Sequence, residues 1–316
     1  MQEPTQKISG QPSQQALNPD SIAHTAHHHE KKDFLLTASL GGIAGLLMEG
    51  VLHPIDTIRT RLKANTKTYV PFLTQVAKMY RNEGHFSYFR GLTCTLYGSF
   101  ISNGSYFLIY EKLKYVLNKE KILSESAAPF LAAFVGGFTS DFIYLPFDVI
   151  RTRMQLKPGV YDYKNFTDGF RKIIKHEGVM TLYLGGPVFF TLSGILTSLT
   201  FGFYEIFHKA LKPFFSTEQE VNIPLSICSS VLAASLAAFV TNPLDVLVTR
   251  MQSVNTTVQD PYTIRGLVKK IYRNEGLTGF MKGVSGTVTY YAISSIILFP
   301  TYELLKAVFH VDLSED

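Results

Sequence analysis

Six long apolar runs, nearly free of charge, lie along the chain at about 34–55, 92–110, 128–147, 186–204, 222–244 and 284–302. Each approaches the roughly 20 residues that a helix needs to cross a bilayer core. Ser, Thr and Gly are mixed into them, which predicts helices that line a wet cavity on one side and touch lipid on the other. A polar, basic segment follows every odd run. The unit of apolar helix, basic segment and apolar helix occurs three times, so the pattern predicts an all-α membrane protein with six transmembrane helices in three pseudo-symmetric repeats. The repeats fall at 34–122, 123–216 and 217–316, after a polar tail over 1–33. A soluble helical repeat protein fits less well, because its helices are usually shorter and more charged.

Each odd run ends in Pro-x-Asp-x-x-(basic)-x-Arg, beginning at Pro54, Pro146 and Pro243, with Val248 replacing the base in the third copy. About 30 residues later come Glu83-Gly84, Glu177-Gly178 and Glu275-Gly276, and then Gly91, Gly185 and Gly283 open the even runs. A proline within a helix removes a donor and clashes one turn back, so each is expected to kink its helix and bring the three odd helices together at one end. Asp56 with Arg59, and Asp148 with Arg151, share a helix face at i and i+3. A ring of such faces closes by pairing each Asp with a base from a neighbour. Exposed pairs are worth only ~0–1 kcal/mol, which suits a gate that opens thermally. The even runs end in a second repeated element: Tyr110-Glu111 with Lys114, Tyr204-Glu205 with His208, and Tyr302-Glu303 with Lys306. Two acid–base rings at opposite ends of one bundle imply two gates opened alternately.

Composition agrees with a membrane setting. Charged residues make up 17% of the chain, against roughly 25% in soluble domains. The net charge of +5 sits largely in the polar segments, for example at Lys164, Arg171, Lys172 and Lys175, where it suits anionic lipid headgroups and leaves no spare basic domain for nucleic acid. Cys94 and Cys228 both fall in apolar runs and read as small buried residues. The tail holds His24, His27, His28 and His29 but no spacing that fixes a metal geometry, and it reads as solvated rather than as a signal or transit segment. No Gly-rich phosphate loop, metal spacing or nucleophile arrangement suggests an enzyme.

With three proline signatures, three Glu-Gly elements and three Tyr-Glu-x-x-basic elements over about 33–310, the chain resembles the mitochondrial carrier family. The resemblance implies a monomeric six-helix bundle in the inner mitochondrial membrane, with both termini toward the intermembrane space and short matrix helices within about 70–83, 164–177 and 262–275. It implies a central substrate site exposed to each side in turn, no cofactor, and cardiolipin bound near Arg90-Gly91, Gly185 and Lys282-Gly283. It also implies that each signature Asp meets the base of the next odd helix. Asp56 is then expected to pair with Arg151 and Asp245 with Arg59, leaving Asp148 facing Val248. Thr60, Thr152 and Thr249 follow the signature bases, so the glutamine that braces these pairs in some carriers is expected to be missing. Glu111 is expected to face His208. The first repeat, with Gly41-Gly42, Glu49, Gly98-Ser99 and Tyr106, is most similar to the S-adenosylmethionine carriers.

Between the rings the six runs hold two charged residues, Glu49 and Asp141, each seven residues before a signature Asp. Seven residues is nearly two helical turns, so both acids are expected on the cavity face. An ionisable group at that depth costs at least ~2.5–3.5 kcal/mol, and two at matching positions point to a cation-binding or proton-coupled site. A solvated carboxylate in a wet cavity is the plainer alternative. With no Lys or Arg in the runs, anionic substrates are disfavoured. Family substrate positions map to Gly98, Leu192 and Tyr290, with neighbours Ser99, Ser193 and Tyr291, and Tyr290, Tyr291 and Tyr106 could stack on a flat or cationic ligand. Two functions fit: a carrier of a small cationic, zwitterionic or neutral metabolite, or a carrier fold that has lost transport and serves as a structural subunit of a respiratory complex.

Overall fold

A computed structural model describes residues 45–66, 69–120, 124, 127–157, 159–215, 223–256 and 263–308, with side-chain surroundings through residue 297. The tail with its four histidines, the start of the first span, and the side chains of Glu303 and Lys306 lie outside the described residues.

Among the described residues, six long helices and three short ones follow one another in a fixed order. Helix α1 runs over 45–64, α2 over Phe72–Glu83, α3 over Leu92–Lys119, α4 over Ala127–Gln155 and α5 over Phe166–His176. Then come α6 over Gly186–Leu211, α7 over Ile223–Gln252, α8 over Ile264–Glu275 and α9 over Val284–Val308. The three short helices stand where the repeat pattern places matrix helices. Each buries only a narrow stripe: Met79 in α2, Gly169 and Ile173 in α5, Leu267 and Ile271 in α8. Asn165 and Thr263 cap α5 and α8 by accepting from Asp168 N at 2.9 Å and Gly266 N at 3.2 Å, which satisfies donors that a helix start leaves open.

Helices α4, α7 and the segment Val179–Phe214 containing α6 are long and apolar enough to cross a bilayer on composition alone. Helix α3 has 28 residues, about 42 Å at 1.5 Å per residue, but carries more polar groups. Large apolar side chains such as Phe100, Phe130, Phe134, Phe138 and Phe201 stay exposed, as a lipid-facing surface requires. Pro146 and Pro243 lie inside α4 and α7, and both helices continue through them, as does α1 through Pro54.

Each repeat closes a small core at the end where its odd helix meets its short helix. Ile58, Leu62 and Met79 form the first, Cys94, Ile150, Met154, Ile173 and Leu182 the second, and Val246, Val248, Met251, Leu267 and Ile271 belong to the third. The even helix of one repeat packs on the odd helix of the next, α3 on α4 and α6 on α7. Gly91, Gly185 and Gly283, at φ of 85°, 78° and 75°, make that approach possible, because the left-handed region disfavours any side chain. A Cβ on Gly283 would stand 2.9 Å from the Lys63 side chain and 3.2 Å from Arg59 O.

The second arginine of each signature joins the repeats. Arg61 donates to both oxygens of Glu83 at 2.6 and 2.8 Å, and its Nε donates to Gln155 O at 2.6 Å. Arg153 does the same to Glu177 and, at 3.0 Å, to Gln252 O. Arg250 holds Glu275 and, at 3.0 Å, Lys63 O. Each arginine thus satisfies the open carbonyls at the end of the next repeat's odd helix, and the cycle closes from repeat 3 back to repeat 1.

Arg61→Met leaves Glu83 without its cation. We expect a loss of about 3 kcal/mol in stability, the cost of breaking one side of a buried pair, read as a lower midpoint of thermal unfolding in detergent. Acid acts on the same seams. Burial pushes the Glu177 and Glu275 carboxyls up, but hydrogen bonds from Arg153 and Thr256, and from Arg250 and Lys282, outweigh it and hold both below the ordinary glutamate range. A depressed folded-state pKa gives stability that is complete above the unfolded value of ~4.3 and is lost as pH falls below it. Thermal midpoints recorded from pH 6 to pH 3.5 are expected to fall less steeply in Glu177→Gln than in the wild type.

Candidate functional site

Because α1, α4 and α7 converge, their signature carboxylates form a closed layer. Asp56 is 2% exposed and Asp148 3%, so each needs bonded partners. Asp56 accepts from Arg151 Nη1 at 2.9 Å, from Arg59 Nε at 2.8 Å and from Gln155 Nε2 at 2.6 Å. Asp148 accepts from Arg151 Nη2 and, at 2.8 Å, from Gln252 Nε2. Asp245 is paired with Lys63 Nζ.

The expected Asp56–Arg151 pair forms, but two other expectations for this ring are corrected. Asp245 does not take Arg59; Lys63, one turn further along α1, reaches it instead. Asp148 does not face Val248 unpaired, since Arg151 on its own helix and Gln252 from the next both bind it. Val248 meanwhile packs in the core of the third repeat. The bracing glutamines are also present. They stand four residues after the signature base, at Gln155 and Gln252, and Lys63 occupies the equivalent place in repeat 1. Residues four apart share a helix face and adjacent residues do not, so the threonine after each base was the wrong place to look. Thr152 Oγ1 instead donates to Gln252 Oε1 at 2.8 Å and orients that amide.

Directly beside this layer lies a cavity of about 280 Å³, with Asp56, Arg59, Lys63, Asp148, Arg151 and Asp245 as its charged floor. Glu49, Tyr144, Phe189, Leu192, Tyr290 and Tyr291 contribute to its walls. Of the residues expected there, Glu49, Leu192, Tyr290 and Tyr291 line it. Asp141, Gly98, Ser99, Ser193 and Tyr106 do not. Ser99 acts behind the wall by donating to Glu49 at 2.7 Å, and Ser193 stands beside Asp141 in the same relation. Gly98 is a packing glycine, since a Cβ there would meet Phe147 at 2.7 Å. Tyr106 packs on Gly136 and stacks with Tyr110, which removes it from the site. Sequence reading missed Lys63 and Tyr144, although Lys63 stands the same seven residues after Asp56 as Asp56 does after Glu49.

The cavity is therefore not simply acidic. The helices run on past their prolines, so three bases of the floor belong to the same walls. Glu49, Asp56, Asp148 and Asp245 face Arg59, Lys63 and Arg151, and among the described residues Glu49 is the one of these acids with no ion pair to a base, Ser99 being its bonded neighbour. Arg59 lies with its guanidinium carbon 3.9 Å from the Tyr290 ring centroid and 5.5 Å from that of Tyr291. Among the described residues, no group of three or more His, Cys, Asp or Glu side chains is arranged to hold a metal ion.

At the other end of the bundle, no ion pair links Glu111, Lys114, Glu205 and His208, and Lys114 lies 5.6 Å from the Tyr110 ring centroid. The expected Glu111–His208 contact is not made in this conformation. One ring is closed and the described part of the other is not. Among the expected lipid residues, Gly91, Gly185 and Gly283 open α3, α6 and α9, and Arg90 is half-buried beside Gly91. Lys282 is already committed to Glu275 at 2.6 Å and Asn65 O at 2.9 Å.

Three helix-pair repeats around a cavity sealed at one end by an ionic layer define a membrane solute carrier. The chain belongs to the mitochondrial carrier family: the family model described as "Mitochondrial carrier protein" matches residues 30–121, 124–214 and 219–313. It is 28% identical over 299 residues to mitochondrial substrate carrier family protein E of Dictyostelium discoideum, covering 89% of this chain and 98% of that protein. It is 27% identical to the mitoferrin of the same organism, covering 89% of this chain and 96% of that protein. It is 25% identical to nicotinamide adenine dinucleotide transporter 2 of Arabidopsis thaliana, covering 90% and 82%. Members of this family are transporters and not enzymes.

Lys63→Met strands Asp245 without a cation and is expected to cost about 3 kcal/mol in detergent. Adding Asp245→Leu should restore most of that loss. A double-mutant cycle of thermal midpoints checks it, and additive losses would show that the pair does not close the ring.

Proposed function

We propose that this protein is a carrier of the inner mitochondrial membrane that moves a small cationic, zwitterionic or neutral metabolite by alternating access, with both termini toward the intermembrane space. The observation that carries the reading is Glu49. Among the described residues it is the one cavity carboxylate without an ion pair to a base, on a wall where an unpaired charge is costly unless water or a ligand answers it. Arg59, Arg151 and Lys63 are each paired with an acid of the floor, so their positive charge is already balanced and a multiply charged anion finds no net positive site to replace its hydration. Cardiolipin at the starts of α3, α6 and α9, near Arg90, Gly91, Gly185, Lys282 and Gly283, belongs to the same proposal.

Similarity does not choose the substrate. Relatives named for different cargoes, a mitoferrin and a nicotinamide adenine dinucleotide transporter, are 27% and 25% identical to this chain. The chemistry of the cavity is the better guide. The structural-subunit reading rested on Val248, His208, Leu184 and the lack of even-helix charges; Val248 leaves no signature acid unbonded, because Lys63 pairs with Asp245 and Gln155 and Gln252 bind Asp56 and Asp148.

A thermal-shift screen of the purified protein against S-adenosylmethionine, basic amino acids and their amines, with ADP and citrate as controls, tests the proposal through ligand stabilisation. A saturable shift is expected with a cationic or zwitterionic ligand. It should disappear in Glu49→Gln and persist in Asp141→Asn, since Asp141 lies outside the cavity wall. A shift with citrate or ADP alone would sink the proposal.

A further inference from the structure

Arg59 is expected from the motif to close the gate, yet Lys63 has taken its acid. Asp245 is bound by Lys63, so Arg59 keeps Asp56 alone, through Nε and Nη2 at 2.8 Å each. A guanidinium carries five N–H donors in a plane, and those two contacts occupy one edge of it. Arg59 Nη1 is buried and makes no hydrogen bond, in a residue only 8% exposed that lines the cavity, although the Tyr291 side chain lies within reach of the guanidinium. Arg151 Nε is likewise buried without a partner beside the same cavity. Tyr290 covers the face of the Arg59 guanidinium and holds its plane, so the free edge is both fixed and screened from bulk water. A donor edge of that kind matches a planar carboxylate or another small oxyanion, bound by two parallel hydrogen bonds.

We infer that Arg59 is a substrate-binding residue: the cavity takes a zwitterion, whose cationic group meets Glu49 and whose carboxylate meets the free guanidinium edge of Arg59. This deepens the carrier reading and rests on it. Glu49 and Asp56, the acid that holds Arg59, lie nearly two helical turns apart, about 10 Å by helical rise. The ligand is therefore one whose two charges are separated by several bonds. Val248 has a role in this arrangement. With no base at the third signature position, Arg151 serves Asp148 as well as Asp56, Arg59 stays with Asp56, and Lys63 supplies the cation for Asp245, which leaves Arg59 with spare donors. A carrier with Arg59 committed to Asp245 has no such edge.

Matched ligand pairs that differ by one carboxylate test the inference: L-lysine against cadaverine, L-arginine against agmatine, and S-adenosylmethionine against its decarboxylated form. Dissociation constants are measured by calorimetry on the purified full chain. In the wild type at least one zwitterion is expected to bind about tenfold more tightly than its amine partner, the size of one charge-assisted contact. Arg59→Gln should bring that pair to within about threefold by weakening the zwitterion alone, and Arg59→Lys should keep part of the preference. Glu49→Gln should weaken both members of the pair. The wild-type comparison needs no variant, so it decides even if Arg59→Gln does not fold. Equal affinity within every pair overturns this inference and leaves the carrier of a cationic metabolite standing. No binding by any of the six ligands, to protein shown to be folded, overturns both.

Discussion

Three helices that end inside a protein leave three sets of carbonyls that water cannot easily reach, and the second arginine of each signature answers them. Arg61, Arg153 and Arg250 each hold a glutamate of their own repeat and the last carbonyls of the next repeat's odd helix. Such a group works only as a cycle. Each repeat supplies the cap for its neighbour and receives one from the other side, so no repeat is complete by itself. The convergence of α1, α4 and α7 follows from this closure. That convergence in turn presses Asp56, Asp148 and Asp245 into one layer.

Within that layer, charge balance matters more than the identity of any single position. Three carboxylates face three bases, although one signature copy has lost its base, because Lys63 stands where the other repeats carry Gln155 and Gln252. Moving the cation by one turn preserves neutrality and changes what is left over. The amide braces of repeats 2 and 3 leave Asp56 and Asp148 saturated, while the ionic contact in repeat 1 leaves Arg59 with unused donors under Tyr290. Glu49 is the complementary remainder on the acid side. The departure from threefold symmetry thus falls at the cavity, where a substrate lacking threefold symmetry has to be recognised.

Much of this was legible in the chain. The resemblance to the carrier family implied the three short helices, and the six runs and the signature acids follow from hydropathy and from a repeat of about 90 to 100 residues, because helix length, turn residues and helical spacing are local properties. The place of Glu49 beside the cavity could be read the same way, whereas the Asp56–Arg151 pair was implied by the resemblance to the carrier family. The ring partners of Asp245 and Asp148 could not, since they depend on which residue four positions along a neighbouring helix comes within 3 Å. The Asp141 misplacement has the same origin. A seven-residue offset puts it on roughly the face of Asp148, but an error of some 20° per heptad, added to helix rotation within the bundle, is enough to take a side chain off the wall.

The sequence by itself therefore determined the number of helices, their repeat, the acids of the gate and the membership of a carrier family, because each is written in patterns that a single helix reads along its own length. Only the tertiary structure decided that Lys63 replaces Arg59 at the gate, that Gln155 and Gln252 brace it, that Gly98 and Tyr106 pack against neighbouring side chains, and that Ser99 is the bonded neighbour of Glu49. Those outcomes depend on contacts between residues about 100 to 190 positions apart or on which way a helix turns in the bundle, and no local pattern contains that rotation.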